Sequence, residues 1–422
     1  MILLCIIADD FTGALDTGVQ FAAHGVSTRV VVDPNVDFSA HEASVLVVDT
    51  ETRHLPANQA YDIVSRLVER ARRAGISYIY KKTDSALRGN IGAELSALLD
   101  ASGQAQLPFL PAFPQTGRIT KNGIHYVDGV PVTESPFGKD PFEPVRHAAV
   151  SQLIGEQSRI PVKSCPALTD DSSVPRENGI LVFDAETVDD LRRTGQMLLK
   201  EHRLSIMAGC AGFGAVLPEL LGMAAAASHP VLRLDPRLLV VCGSVNPITL
   251  IQLDRAEASG FTRLRLTPRQ KLEPGYWQSG EGAEQIRKIE AILADHPHCI
   301  IESNDLGGNR PTAEYAASLG IDLETLRVRI AGSLGYLVGQ IFTSPSLGTL
   351  LLTGGDTLLQ CMNCVGVQEL EPICELEKGV VLASFTYHGC TRHVITKSGG
   401  FGQESLFTDL ADQLAQSGAG RD

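Results

Sequence analysis

The stretch YKKTDSALRGNIG, from Tyr80 to Gly92, places two lysines, an aspartate, two hydroxyl side chains and an arginine between two apolar patterns. The run before it, Ile76 to Tyr80, predicts a buried strand because β-branched and aromatic residues follow one another there without a charge. The residues after it, Ile91 to Leu99, carry apolar side chains at helical spacing. The polar residues therefore lie where a strand's carboxyl end meets a helix start, the usual ligand position in an open α/β sheet. They are Lys81, Lys82, Thr83, Asp84, Ser85 and Arg88.

The same alternation of strand and helix patterns fills the rest of the first half. The apolar run at the amino terminus predicts a first strand that ends in Asp9 and Asp10. A strand from Ala43 to Val48 leads to Arg53, and a helix is predicted from Ala57 to Arg73. This order predicts a mostly parallel sheet with helices on its faces.

A second α/β pattern begins after an alanine-rich segment, so we expect two domains. At 422 residues the chain is too long for one ordinary hydrophobic core. The composition changes at His229 and Pro230, and apolar strand patterns resume at Leu238. We therefore predict α/β domains over residues 1–228 and 229–422, each with a mostly parallel sheet flanked by helices.

Three glycine turns follow strand patterns in the second half, at Gly243-Ser244, at Thr353–Thr357 (TGGDT) and at Thr396–Gly402 (TKSGGFG). Adjacent glycines before a helix expose backbone N–H groups with little steric obstruction, which suits a phosphate. The chain has neither the GxxxxGK[ST] pattern of a P-loop nor a GxGxxG after its first strand. We expect a pocket of cations and carboxylates in the first domain to face a phosphate cradle in the second, with the active site in the interdomain cleft.

Two turn dipeptides, Asn122-Gly123 and Asp128-Gly129, predict a small hairpin excursion because both favour positive backbone φ angles. The hairpin either covers the site as a flap or lies on the surface, and the sequence leaves both open. His125, within the hairpin, is expected to be an ordinary surface residue.

The composition indicates a cytoplasmic protein. A formal charge of −13, from 36 basic and 49 acidic residues, argues against a nucleic-acid-binding surface. Nine cysteines are scattered, mostly in apolar runs, as expected of reduced thiols, and the CxxC at Cys361 and Cys364 has no second ligand pair at zinc spacing. The amino-terminal apolar run lacks a basic flank, and no apolar run reaches the ~20 residues of a membrane span. We therefore expect neither a signal peptide nor a membrane partner.

Several of these motifs together resemble a known family. The segments IADDFTGALDTGVQ at Ile7, KKTDSALRGNIGAE at Lys81 and PAFPQTGRITKNG at Pro111 resemble the amino-terminal, sugar-acid-binding domain of the four-carbon acid sugar kinases. The segments TGGDT at Thr353 and TKSGGFG at Thr396 resemble the carboxyl-terminal, nucleotide-binding domain of that family. The similarity keeps the same order over almost the whole chain. The chain departs from the pattern at Gly209-Cys210 and over residues 266–322.

The resemblance implies ATP-dependent phosphorylation of threonate, erythronate or a related tetronate. It implies that the sugar acid binds Asp10, Arg53, Lys82, Thr83, Asp84 and Ser85. It likewise implies that ATP binds Ser244, Gly354, Gly355, Asp356, Thr357, Lys397, Ser398, Gly399 and Gly400. The segment KTDSALRGN is nearer to the threonate and erythronate kinases than to the 3-oxo-tetronate kinases, which favours threonate or erythronate over a 3-oxo-tetronate. D-threonate is the expected substrate, with erythronate, another tetronate or a 3-oxo-tetronate as alternatives.

Phosphoryl transfer requires that the two substrates are positioned, that the phosphate charge is neutralised and that a group accepts the proton of the attacking hydroxyl. Arg53 or Arg88 is suited to hold the substrate carboxylate in a bidentate pair, and the alternative for both is a surface or capping ion pair. The general base is left open between Asp10, Asp84 and Asp356. Asp356 is alternatively a ligand of Mg²⁺ through water, because that ion keeps much of its hydration.

Two other functions stay open on the sequence alone. One is a non-catalytic sensor that binds a sugar acid through the first domain. The other is an enzyme that acts on an already phosphorylated compound, whose phosphate the glycine turns would hold. The expected partners are a small sugar acid and ATP, with a homodimer left open.

Overall fold

The computed structural model describes residues 1–140, 144–169, 172–223, 232 and 234–419. The chain divides into two units, Met1–Ser228 and His229–Asp422. The composition change predicted at His229 and Pro230 lies outside the described residues.

The first unit is built on a parallel sheet. Its central strands are the apolar runs of the sequence, which are buried on both faces. The described strands are β1 Leu4–Ala8, β2 Thr28–Val31, β3 Val45–Asp49, β4 Tyr78–Lys82, β5 Gln106–Leu110, β6 Arg118–Lys121, β7 Ile124–Val127, β8 Val130–Pro131, β9 Val162–Cys165, β10 Gly179–Phe183 and β11 Ile206–Gly209. All but β6, β7 and β8 pair in parallel in the order β2-β3-β1-β4-β11-β5-β10-β9.

Helices cover this sheet in two groups. They are α1 Phe11–Ala22, α2 Ala57–Arg73, α3 Ile91–Ser102, α4 Val150–Gly155, α5 Val188–Lys200, α6 Ala211–Gly214 and α7 Leu217–Leu220. Helices α2, α3 and α4 share one buried core with the strands, whereas α1 and α5 pack with α6 and α7. Helix α2 has the bounds that its apolar periodicity predicts.

Strand β4 lies two residues farther along the chain than predicted, so Lys81 and Lys82 are its last residues. The sheet itself extends the strand, because Lys82 lies opposite Ala8 of β1 on one side and Gly209 of β11 on the other. Pairing on both sides therefore outweighs the low strand preference of lysine. The consequence is that both lysines are buried at the carboxyl edge of the sheet.

Strands β6, β7 and β8 form a separate antiparallel sheet, which confirms the predicted hairpin excursion. Asn122 and Gly123 join β6 to β7 with φ angles of 51° and 71°. Asp128 and Gly129 join β7 to β8 with φ angles of 50° and 83°. Both turns have the positive φ angles that these dipeptides favour.

The second unit has a sheet that is parallel except for its last two strands. The strands are β12 Leu238–Cys242, β13 Thr262–Arg265, β14 His298–Glu302, β15 Thr349–Thr353, β16 Glu369–Glu377, β17 Val380–Tyr387 and β18 Cys390–Lys397. They pair in the order β13-β14-β12-β15-β18-β17-β16, with β17 and β16 antiparallel to their neighbours. The helices are α8 Pro247–Ala258, α9 Pro268–Leu272, α10 Gly280–Asp295, α11 Arg310–Ser318, α12 Leu323–Ile341, α13 Gly355–Val365 and α14 Leu406–Ala419. Both units thus have the predicted α/β class.

Candidate active site

The carboxyl ends of β1, β3 and β4 bring together the charged residues that the sequence singles out in the first unit. Ala8 lies opposite Asp49 and Lys82, so the residues that follow these strands meet at one edge. Arg53 donates from Nε to Asp9 Oδ2 at 2.7 Å and from Nη2 to Asp10 Oδ1 at 2.6 Å. All three side chains are almost fully buried. Arg53 is therefore a fixed member of a buried ion cluster and not a surface pair.

Asp10 also begins helix α1. Its carboxylate accepts from the backbone N–H of Gly13 at 3.2 Å and from the Thr12 hydroxyl at 2.7 Å, as an N-cap residue does. A Cβ on Gly13 would lie 2.4 Å from Asp10 Oδ1 and 2.5 Å from Lys82 Nζ. Glycine is therefore needed at position 13 for the Asp10 carboxylate and the Lys82 ammonium group to approach this turn.

Asp84 lies in the turn at residues 83–88, which directly follows β4. Arg88 donates to both of its oxygens, from Nε at 2.8 Å and from Nη2 at 3.1 Å. Arg53 Nη2 lies 3.9 Å from Asp84 Oδ1, which links this pair to Asp9 and Asp10. Burial alone would raise the pKa of Asp84, but Arg88 and Arg53 outweigh it and hold that pKa well below its ordinary value.

The two lysines at the end of β4 have different surroundings. Lys81 forms an ion pair with Glu94 of α3 at 3.0 Å, and both side chains are fully buried. The ammonium group of Lys82 makes neither a hydrogen bond nor an ion pair with the part of the chain that the structure describes. Its side chain lies among the Asp9, Asp10 and Asp84 carboxylates, and its positive charge helps to lower the pKa values of Asp9 and Asp84. Lys82 is thus the cation best placed to meet an anionic ligand.

The turn also carries two hydroxyl residues, Thr83 and Ser85, whose surroundings differ. Thr83 Oγ1 is buried without a hydrogen-bond partner in the described residues. Ser85 accepts from Arg118 Nη1 at 2.8 Å and, through its carbonyl oxygen, contacts His125 Nε2 at 2.9 Å. The expectation that His125 is a surface residue is wrong, because it is fully buried against the turn.

In the second unit, the three glycine turns converge at the ends of β12, β15 and β18. A Cβ on Gly399 would lie 2.8 Å from Ser244 Oγ, and one on Gly354 would lie 3.6 Å from the Ser244 backbone nitrogen. A Cβ on Gly243 would lie 2.0 Å from Thr357 Oγ1. Gly354 has a φ angle of 103° and directly precedes α13, whose first N–H groups have no partner within the helix. Gly355 is the first residue of that helix, and Gly400 follows Gly399.

Asp356 lies in the first turn of α13 and forms an ion pair with Arg327 of α12. Arg327 also contacts Glu324 at 2.7 Å, so the guanidinium group bridges two carboxylates. Asp356 stays partly exposed, with 30% of its side chain accessible. It is therefore oriented by Arg327 and still reachable from solvent.

Lys397 is fully buried at the end of β18. Its ammonium group donates to Thr249 Oγ1 at 2.8 Å and to the carbonyl oxygens of Ser398 and Gly399 at 3.3 Å and 3.1 Å. Lys397 is therefore not a solvated residue of the turn. In this structure the side chain fixes the 397–400 loop beside Ser244.

Sequence reasoning missed the loop after β14 as a neighbour of this cluster. Asn304 donates to the Ser244 carbonyl oxygen at 3.1 Å, and Asp305 forms an ion pair with the buried Lys271. The signal was present, since Asn304 and Asp305 follow an apolar strand and precede Gly307. This region matches little of the family pattern, so the resemblance does not point to it.

The residues that the structure describes include no group of three or more histidine, cysteine or carboxylate side chains that could hold a metal ion. Their helices also include none that is long and apolar enough to cross a membrane.

Comparisons with known proteins match both units. The model of a sugar-binding N-terminal domain matches residues 4–217, and that of a nucleotide-binding C-terminal domain matches residues 239–407. A D-threonate kinase from Salmonella typhimurium is 30% identical over 96% of this chain and 97% of its own length. A D-erythronate kinase from Heliobacterium modesticaldum is 28% identical over 97% of this chain and 96% of its length. A 3-oxo-tetronate kinase from Methylobacterium radiotolerans is 28% identical over 97% and 98%.

Solved structures agree in fold. A Salmonella typhimurium LT2 protein matches with a TM-score of 0.76 at 20% identity, over 98% of this chain and 99% of its own. A Haemophilus influenzae protein matches with a TM-score of 0.66 at 19% identity, over 97% and 99%. Because the two domain models match in order and relatives align over nearly their full lengths, this chain belongs to the four-carbon acid sugar kinase family.

Proposed function

We propose that this protein transfers the γ-phosphoryl group of ATP to a hydroxyl of a four-carbon sugar acid, with D-threonate as the preferred acceptor. The observation that carries the proposal is the buried cluster at the ends of β1, β3 and β4. In this cluster the Asp9 and Asp10 carboxylates are held in place by Arg53 and are available to sugar hydroxyls. The ammonium group of Lys82 lies beside them and has no ion partner in the described residues. The name of the 30% identical relative supports D-threonate.

Lys82 is proposed to bind the carboxylate of the sugar acid. A nearly buried cation gains more from an anionic ligand than an exposed one, because the local dielectric is low. Arg53 is proposed to act on the same ligand, and it also holds Asp9 and Asp10 in place. Thr83, Ser85 and Arg88 complete the proposed contacts from the 83–88 turn.

Asp10 is proposed as the general base that takes the proton of the attacking hydroxyl. Asp84 is the weaker candidate, because Arg88 and Arg53 hold its pKa well below the ordinary value. A carboxylate with a very low pKa is a poor proton acceptor. Asp356 lies in the other unit, where a role beside the nucleotide phosphates suits it better.

The converging glycine turns are proposed to hold the ATP phosphates. The open N–H groups at the start of α13 and the side-chain-free surface at Gly354 and Gly399 suit an anion. Ser244, Thr357 and Ser398 would add hydroxyl donors, while Lys397 keeps the loop in position. Gly355 and Gly400 keep the same surface free of side chains.

Mg²⁺ is proposed to accompany ATP, and when bound it would offset charge on the phosphates. The donor set fits a largely hydrated ion held mainly by the nucleotide, because Asp356 is the carboxylate at the glycine turns and Mg²⁺ commonly uses one or two carboxylates. The cytoplasm is the proposed site of action, since ATP is available there. The interdomain cleft and a homodimer stay predictions.

An ADP-release assay on the full-length protein tests this proposal. The panel consists of D-threonate, L-threonate, D-erythronate and 3-oxo-tetronates, each with ATP and Mg²⁺. We expect ADP to form in proportion to the sugar acid consumed, with the highest kcat/KM on D-threonate. Binding of a tetronate without turnover on any acceptor would favour the sensor function. Higher kcat/KM on a 3-oxo-tetronate would reassign the substrate within the family.

A further inference from the structure

Two strands of the β6–β8 hairpin each place a side chain against Ser85 of the 83–88 turn. Arg118, the first residue of β6, donates to the Ser85 hydroxyl at 2.8 Å. His125, in the middle of β7, contacts the Ser85 carbonyl oxygen at 2.9 Å. Both hairpin side chains are buried, with His125 fully so. The hairpin therefore fixes both the backbone and the side chain of Ser85.

The hydrogen bonds of His125 determine its tautomer. A carbonyl oxygen only accepts, so Nε2 must carry the proton that it donates to Ser85. Nδ1 is then the acceptor for the Thr120 hydroxyl, which lies 3.1 Å away. Burial lowers the pKa of His125 to about 4, which keeps the ring neutral and this arrangement intact at neutral pH.

Arg118 reaches Ser85 along an aromatic surface. Its guanidinium carbon lies 5.4 Å from the centre of the Phe137 ring, and that of Arg88 lies 5.1 Å from the same ring. Phe137 thus contacts both the arginine that binds Asp84 and the arginine that binds Ser85. A serine hydroxyl that accepts from Arg118 keeps its own proton for donation.

We propose that His125 and Arg118 are positioning residues, which hold Ser85 so that its hydroxyl donates a hydrogen bond to the sugar acid. This inference rests on the proposed function and adds the hairpin to the sugar-acid site. The hairpin thereby supports the site through its buried side chains and does not depend on motion as a flap.

The test uses His125→Phe and His125→Gln in the full-length protein. Phenylalanine fills the space without hydrogen bonds, whereas the glutamine amide can donate from nearly the position of Nε2. We expect His125→Phe to raise the KM and the calorimetric Kd for D-threonate by about tenfold and to leave the KM for ATP within about twofold. His125→Gln should return the KM for D-threonate to within about threefold of wild type. If His125 only stabilised the fold, His125→Phe would affect the KM values for both substrates. His125→Gln would then not restore the KM for D-threonate selectively.

Lys121→Ala is the matched control, because Lys121 lies on the same hairpin and pairs with Glu186 at the surface. It should leave both KM values unchanged. If His125→Phe fails to fold, the pair Ser85→Ala and Arg118→Lys replaces it in a double-mutant cycle. The losses in D-threonate affinity should then be non-additive, since Arg118 acts through Ser85.

Failure of the proposed kinase function and failure of the positioning role of His125 and Arg118 give different results in these experiments. A wild-type protein that neither binds nor phosphorylates any tetronate overturns both. An active wild type with His125→Phe and the double-mutant cycle showing no selective loss for D-threonate overturns the inference alone. Equal losses for ATP and D-threonate also overturn it, since they indicate a general structural defect.

Discussion

Lys81 and Lys82 are neighbours on one strand, yet the structure gives them opposite surroundings. Side chains alternate between the two faces of a strand, so one lysine points toward α3 and the other toward the cluster at the end of β1. Lys81 forms an ion pair with the buried Glu94, whereas Lys82 has no ion partner among the described residues. The sequence predicted that the pair lies at a strand end. It could not tell which lysine has a partner, because Glu94 is brought to Lys81 only by the packing of α3.

Substitution of these lysines by methionine separates binding from stability. Lys82→Met should lower kcat/KM for D-threonate by at least about tenfold, because the proposed carboxylate contact is lost, and should change the free energy of unfolding less than Lys81→Met does. Lys81→Met should instead destabilise the protein by about 3 kcal/mol, because Glu94 is left buried and unpaired. Steady-state kinetics and urea unfolding measure the two effects. The assignment is wrong if Lys82→Met unfolds as readily as Lys81→Met and keeps wild-type kinetics.

His125 also predicts a pH dependence of stability. Burial lowers its pKa to about 4 in the folded protein, from an ordinary value of 6.5. Between these values the unfolded chain binds more protons than the folded chain, so stability falls as the pH falls from about 6.5 to about 4. The contribution reaches at most about 1.4 kcal/mol per pH unit. Urea unfolding of wild type and His125→Gln across this range should show a shallower slope in the variant, and parallel slopes would contradict the assignment.

The helices and turns show where local sequence rules suffice. The bounds of α2 follow from its apolar periodicity, and the two hairpin turns follow from Asn-Gly and Asp-Gly. The buried state of His125 does not follow, because it depends on the hairpin packing against the 83–88 turn. The same holds for Lys397, which is buried by carbonyl oxygens of its own loop and by Thr249 of α8. Pairing between distant segments thus decides what local patterns leave open.

Helix α13 offers a matched comparison, since glycines with positive φ angles stand at both of its ends. Gly354 precedes the helix at a φ of 103°, and Gly366 follows it at 81°. Gly354→Ala should raise the KM for ATP by about tenfold, because the backbone must rearrange at the proposed phosphate site. Gly366→Ala imposes the smaller strain of a left-handed helical residue, at a cost of about 1 kcal/mol, and should leave the KM for ATP unchanged. Equal effects of the two variants on ATP would show that α13 contributes only stability.

For the whole molecule, the sequence predicted two α/β units, and the structure has a largely parallel sheet in each. Each unit collects its candidate residues at the carboxyl ends of its strands, as the general rule for open α/β sheets requires. The charged cluster of the first unit draws on β1, β3 and β4, and the glycine turns of the second unit follow β12, β15 and β18. Spacing along the chain predicted which residues follow strands. It could not predict which strands are neighbours, since strand order is set by the fold.

The central claim is that the first unit binds the sugar acid and the second unit binds ATP. Hydrogen–deuterium exchange of the full-length protein, with one ligand added at a time, tests it most directly. D-Threonate should slow exchange in the segments around Asp10, Arg53 and the 83–88 turn, and leave the glycine turns of the second unit unchanged. A non-hydrolysable ATP analogue with Mg²⁺ should slow exchange around Ser244, at 354–357 and at 397–400 instead. Protection of the 83–88 turn by the ATP analogue alone, or of the glycine turns by D-threonate alone, would contradict the account.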